Sequence, residues 1–221
     1  MSDPHWVLVV PLKDPRRGKT RLAGWLEPGP RAELVRAMVA DTLAAAAGAR
    51  LVERIIVVTE DPAAARAARR VGDRQAVVEV VGEPVPGGLN PAVRAGIDRA
   101  HAVAVDLAVG VLLGDLPALR AADLDSALAE AGRHRLAMVV DAAGTGTTLL
   151  TGGPGQRLDP AFGPGSAAAH ADRGHVRVPL GPGSGLANDV DYPADLDAAR
   201  LLGLGSRTRR VVARIAPLPV H

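Results

Sequence analysis

The stretch Leu107-Ala108-Val109-Gly110-Val111-Leu112-Leu113-Gly114-Asp115-Leu116-Pro117 decides the fold. Residues 107–113 are apolar throughout, the pattern of a strand buried on both faces, and such strands belong to parallel sheets covered by helices on either side. The run then stops at a glycine and an acid. Working outward, the same alternation recurs. Residues 6–10 form a short apolar run closed by Pro11, and a polar loop follows to about Leu22. Pro30 suits the first turn of a helix whose Leu34, Val35, Met38, Val39 and Leu43 recur at helical spacing. Residues 55–58 predict a second strand, Asp61-Pro62 the cap and first position of another helix, and 76–81 a third strand. Asn90-Pro91 reads as cap and start of a helix reaching about Ala104. Beyond the central stretch, the pattern predicts a helix over 121–131, strands near 136–140 and 147–150, and a Gly/Pro-rich loop from Phe162 feeding a short helix. A strand over 175–178 and a last helix over 193–202 complete it. Continuous apolar strands separated by helices give one Rossmann-like α/β domain, its sheet mixed but mostly parallel with helices on both faces. The domain spans 1–221, with a core over about 6–203 and a basic C-terminal tail over 204–221 that includes Arg207-Thr208-Arg209-Arg210. In such sheets ligands bind off the carboxyl ends of the strands.

Composition narrows the function. With no cysteine, disulfides and thiolate metal sites are excluded, so Asp, Glu, His or backbone oxygen must hold any metal. The start, Met1-Ser2-Asp3-Pro4-His5-Trp6, lacks the basic and long apolar regions of a signal peptide, and no apolar run approaches the ~18 residues of a membrane span. The expectation is a cytoplasmic protein without membrane partners. Net charge is +2 and aromatic residues make up 2% of the chain, which argues against base-stacking platforms and a nucleic-acid partner. Of 26 basic residues only two are lysines, and both, Lys13 and Lys19, lie in the loop after the first strand. A compact ammonium is hard to replace by guanidinium where a phosphate is met as a point charge.

That loop, Lys13-Asp14-Pro15-Arg16-Arg17-Gly18-Lys19-Thr20-Arg21, fits neither the P-loop nor the dinucleotide glycine spacing. Its cations suit a triphosphate and the charge developing on leaving pyrophosphate. Asp115, directly after a buried strand and braced by Gly114 and Pro117, suits magnesium. In Asn188-Asp189-Val190-Asp191, extended alternation points Asp189 and Asp191 to one side while Val190 packs inward. Asp195 and Asp197 read as first-turn helix acids. Gly144-Thr145-Gly146-Thr147-Thr148 and Phe162-Gly163-Pro164-Gly165-Ser166 offer hydroxyls and a helix start suited to an anion, or simply turn chemistry. His170 either lines the same pocket or serves as a cap or surface residue.

Taken in order, Val10-Pro11-Leu12-Lys13, Lys19-Thr20-Arg21-Leu22, Gly88-Leu89-Asn90, Gly114-Asp115-Leu116-Pro117, Asp141 with Gly144 to Thr148, Phe162 to Ser166, and Asp189-Val190-Asp191 resemble the phosphoenolpyruvate / 2-phospho-L-lactate guanylyltransferases of coenzyme F-420 biosynthesis. The match runs over about 6–200. The resemblance implies a nucleotidyltransferase fold related to the metal-dependent glycosyltransferases and transfer of GMP from GTP to phosphoenolpyruvate, with pyrophosphate released. It implies one or two Mg2+ ions on Asp115, Asp189 and Asp191, and the phospho-acid at Thr148, Gly163 and Ser166. It places GTP against the loop of Lys13, Lys19 and Arg21, the groups expected to act in catalysis, and against Gly87, Gly88 and Asn90. The downstream transferase of the pathway is the expected protein partner. Alternatives are the same chemistry on 2-phospho-L-lactate, a nucleotidyltransferase for a sugar phosphate or molybdopterin, and a non-catalytic nucleotide-binding regulator. Tyr192 stands where the family pattern suggests a small residue.

Overall fold

The computed structural model describes residues 5–13, 20–71, 76–83 and 88–215. Its strands are β1 (Trp6–Pro11), β2 (Val52–Val58), β3 (Val77–Val81), β4 (Ala108–Leu112), β5 (Leu136–Val140), β6 (Thr147–Gly152) and β7 (Val176–Arg177). The α-helices are α1 (Pro28–Ala47), α2 (Pro62–Arg69), α3 (Leu89–Val103), α4 (Ala121–Ala131), α5 (Ser166–Asp172), α6 (Pro193–Leu202) and α7 (Ser206–Arg214). The strands form one seven-stranded sheet in the order β3-β2-β1-β4-β6-β5-β7. β6 pairs antiparallel with both β4 and β5, and every other pairing is parallel. The start of β6 therefore lies at the same sheet edge as the carboxyl ends of β1, β2 and β4.

β1 shows why the sheet is filled on both faces. Trp6, Leu8 and Val10 join one apolar cluster with α1, α2 and α4, while Val7 and Val9 face α3 on the other side. All five are fully buried, and each large apolar side chain so placed contributes about 1.5–3 kcal/mol. α3 lies close because it carries Gly96, where a Cβ would stand 2.3 Å from Val9 Cγ1. Asp61 caps α2 as expected, accepting the Ala63 N–H at 2.9 Å. The cap of α3, however, is Gly88 at φ 97°, and Asn90 sits inside the first turn. The strand expected over 175–178 shrinks to two residues at the sheet edge.

The described part of the segment read as a basic tail, residues 204–215, is largely helix. α7 packs on α1, burying Thr208, Val211 and Val212, with Val211 and Val212 in a third apolar cluster that includes Leu34 and Met38. Its start is capped from outside: the buried Asp41 carboxylate on α1 accepts the Arg207 and Thr208 N–H groups at 3.2 and 2.7 Å. Among the described residues no helix is long and apolar enough to cross a membrane.

Candidate active site

At the carboxyl end of β4 the chain turns through Gly114, whose Cα lies so near β1 that a Cβ would stand 2.4 Å from Leu12 Cδ2. That close approach leaves Asp115 at the sheet edge. Two backbone ties hold the turn: the Leu116 N–H donates to Thr42 Oγ1 on α1 at 3.1 Å, and the Gly205 N–H donates to the Pro117 carbonyl at 2.8 Å. The Val190 N–H donates to the Asp115 carbonyl at 3.2 Å and brings in the second acidic segment. Val190 itself is fully buried, so Asp189 and Asp191 flank an inward anchor as the alternation predicts. Asp195 is more than a dipole acid. Its carboxylate accepts the Asp191 and Tyr192 N–H groups at 2.9 and 2.7 Å, fixing the segment where it enters α6.

Asp115, Asp189 and Asp191 each offer a carboxylate oxygen, and these oxygens lie within 4.8 Å of one another. Such hard oxygen donors, half-buried, fit a divalent cation like magnesium or manganese. The Arg21 guanidinium reaches the same cluster, with Nη1 2.8 Å from Asp191 Oδ2 and the guanidinium 5.0 Å from the centre of the Tyr192 ring. Tyr192 thus stacks on the arginine rather than entering the acid cluster. Lys13 follows β1 and is exposed. Lys19 and Gly87 lie outside the described residues.

The second group of predicted residues gathers at the start of β6 and α5. Thr148 is fully buried, and its Oγ1 finds no hydrogen-bond partner among the described residues. Ser166, the first residue of α5, is buried to 2% exposure, and Gly163 has φ 140°, where a side chain is strained. The anion-attracting donors expected at this helix start are engaged within the loops. The Ser166 N–H bonds the Gly163 carbonyl at 3.1 Å and the Ala167 N–H bonds the Thr145 carbonyl at 3.0 Å. Phe162 is a core residue, packed beneath the loop with α3.

His170 does not lie on the surface. It is fully buried, with Nε2 accepting the Ala161 N–H at 3.0 Å and Nδ1 2.9 Å from Thr147 Oγ1. Since a backbone N–H only donates, Nε2 is unprotonated and Nδ1–H donates to the threonine. Burial, followed by the neighbouring His175 and Arg173, pushes the imidazole from 6.5 down to about 4. His175 is lowered as well, chiefly by burial. Sequence reading missed this clamp because both of its partners are set by tertiary packing.

The family model described as "Guanylyl transferase CofC like" matches residues 6–179. A phosphoenolpyruvate guanylyltransferase of Sanguibacter keddieii is 47% identical over 96% of this chain and 86% of its own length. The Streptomyces scabiei protein of the same name is 43% identical over 96% of this chain and 97% of its own. Among solved structures, a candidate nucleotide-diphospho-sugar transferase from Desulfovibrio desulfuricans superposes with a TM-score of 0.67 at 19% identity, covering 95% of this chain and 94% of that one. A nucleotidyl transferase from Methanothermobacter thermautotrophicus gives 0.54 at 18%, covering 91% and 98%. A Mycobacterium tuberculosis protein solved as a manganese complex also gives 0.54, at 19% identity, covering 90% and 98%. At these identities the structures establish the fold alone, a nucleotidyltransferase-type α/β domain. The family follows from the sequence matches: this chain belongs to the CofC-like guanylyl transferases.

Proposed function

We propose that this chain is a cytoplasmic phosphoenolpyruvate guanylyltransferase of coenzyme F-420 biosynthesis. A phosphate oxygen of phosphoenolpyruvate attacks the α-phosphorus of GTP. The bond from that phosphorus to the bridging α–β oxygen breaks, pyrophosphate departs with the electron pair, and enolpyruvyl-diphosphoguanosine remains. The observation that carries this reading is the cluster of Asp115, Asp189 and Asp191 at the carboxyl edge of the sheet, with Arg21 paired to Asp191. The near-full-length relatives that bear this enzyme name support the acceptor.

The three aspartates would hold one or two magnesium ions, which when bound neutralise phosphate charge. Lys13, Lys19 and Arg21 would neutralise the triphosphate and the developing pyrophosphate charge. Arg21 Nη1 donates to Asp191 Oδ2 at 2.8 Å, which holds its guanidinium at the site. Gly88 would contact the nucleotide, as would Gly87, which lies outside the described residues. Thr148, Gly163 and Ser166 receive the phospho-acid, whose oxygen supplies the partner that the buried Thr148 hydroxyl lacks among the described residues. An unmatched buried hydroxyl costs about 1–3 kcal/mol, so satisfying it on binding is favourable. The attacking phosphate is ionised at neutral pH and needs no general base, so positioning and charge neutralisation carry the rate. The product passes to the downstream transferase.

The test is a matrix of the four nucleoside triphosphates against phosphoenolpyruvate, 2-phospho-L-lactate and a hexose 1-phosphate, with magnesium, reading pyrophosphate. Release with GTP and phosphoenolpyruvate is the expected result. Release confined to the sugar phosphate, or none with any acceptor, overturns the reading.

A further inference from the structure

The segment Asp159–Phe162, which leads into Gly163–Ser166, is held at each of its four residues. Asp159 meets Arg173 Nε at 3.1 Å and Arg94 Nη2 at 3.5 Å. The Pro160 carbonyl accepts from Arg94 Nη2 at 3.4 Å, and the Ala161 N–H donates to His170. Phe162 is gripped twice: its N–H donates to Asn90 Oδ1 at 2.8 Å, and its carbonyl accepts from Asn90 Nδ2 at 2.9 Å. This paired amide contact copies the exchange of bonds between two strands, so it fixes orientation as well as distance. Asn90 and Arg94 lie one helical turn apart and share a face of α3. The cap of that helix is Gly88, assigned above to the nucleotide. Asn90 is therefore turned toward the acceptor loop, although the sequence places it with the nucleotide-binding residues.

We propose that Asn90 is a positioning residue that locks the Phe162–Ser166 loop to the first turn of α3, so that the acceptor site is built against the nucleotide side as one unit. His170 is its counterpart, tying the adjacent Ala161 to β6 through Thr147. Fixing a loop in its bound shape beforehand lowers the ordering cost of binding. The inference rests on the assignment of Gly163 and Ser166 to the phospho-acid.

Two readouts separate its failure from a failure of that assignment. The first needs no substrate. In Asn90→Leu, which keeps bulk but removes both polar partners, amide hydrogen exchange at Phe162 accelerates roughly tenfold or more relative to wild type. The second is kinetic: the KM for phosphoenolpyruvate rises roughly tenfold, the value expected for a lost pair of hydrogen bonds, while the KM for GTP and the GTP-over-ATP preference stay within about twofold. Asn90→Ser, a smaller change, serves the same two measurements if the leucine variant does not fold. Unchanged exchange at Phe162 overturns the proposal. So does a collapse of GTP-over-ATP preference with the acceptor KM unmoved, since Asn90 would then read guanine. If wild type itself gives no turnover with phosphoenolpyruvate, the functional assignment fails, and the exchange measurement alone decides the clamp.

Discussion

His170 makes the stability of this protein depend on pH in a way that can be isolated. The imidazole is fully buried, its Nε2 accepts a backbone N–H, and its native pKa is about 4 against an ordinary 6.5. Above pH 6.5 the group is neutral in both native and unfolded chains and gives no pH dependence. Between 6.5 and about 4 the unfolded chain takes up a proton that the native protein refuses, so stability falls as pH falls. Below about 4 both states are protonated and the loss levels off. At ~1.4 kcal/mol per pH unit the loss is about 3 kcal/mol. Glutamine keeps a donor and an acceptor but does not titrate, so urea unfolding of wild type and His170→Gln at pH 7 and pH 4 separates this contribution. His175 remains in both proteins. Wild type should lose about 3 kcal/mol more than the variant, equivalent to roughly 6–12 °C in Tm for a chain of this size. Parallel losses in the two proteins would refute a neutral, hydrogen-bonded His170.

Asp115→Asn should abolish turnover and weaken manganese binding while circular dichroism and Tm stay near wild type; retained activity would refute the acid cluster. Thr42→Val removes the acceptor of the Leu116 N–H beneath the metal turn, so denaturant unfolding should show a loss of about 1–3 kcal/mol, with Thr42→Ser restoring most of it. Gly185→Ala would bring a Cβ within 2.1 Å of the Ala118 carbonyl oxygen. Backbone must then move, so a loss of about 1–3 kcal/mol is expected, together with weaker metal binding as the Asp189 segment shifts.

Much of this was legible in the sequence because local rules governed it. The apolar run over 107–113 became a central strand, and Pro193–Leu202 and Ala121–Ala131 form helices where the spacing places them. Alternation around Val190 correctly set Asp189 and Asp191 toward Asp115. The antiparallel direction of β6 was not legible, since a short apolar run carries no sign of its direction; its pairing with β4 and β5 decides that. α7 was read as tail because its arginines dominate the composition, and its cap, Asp41, sits 166 residues earlier on another helix. Asn90 looked like a cap because Asn before Pro usually is one. Its actual partner, Phe162, is 72 residues away and reachable only after folding.

The central claim is that GMP moves from GTP to a phospho-acid with the aspartate cluster in place. Parallel reactions with α-labelled and γ-labelled GTP, phosphoenolpyruvate and magnesium test it most directly. The account predicts that all transferred α-label appears in one product carrying the enolpyruvyl group, that γ-label appears only in pyrophosphate, and that Asp115→Asn gives neither. Release of γ-label as inorganic phosphate, or α-label remaining in free GMP or GDP, would contradict it.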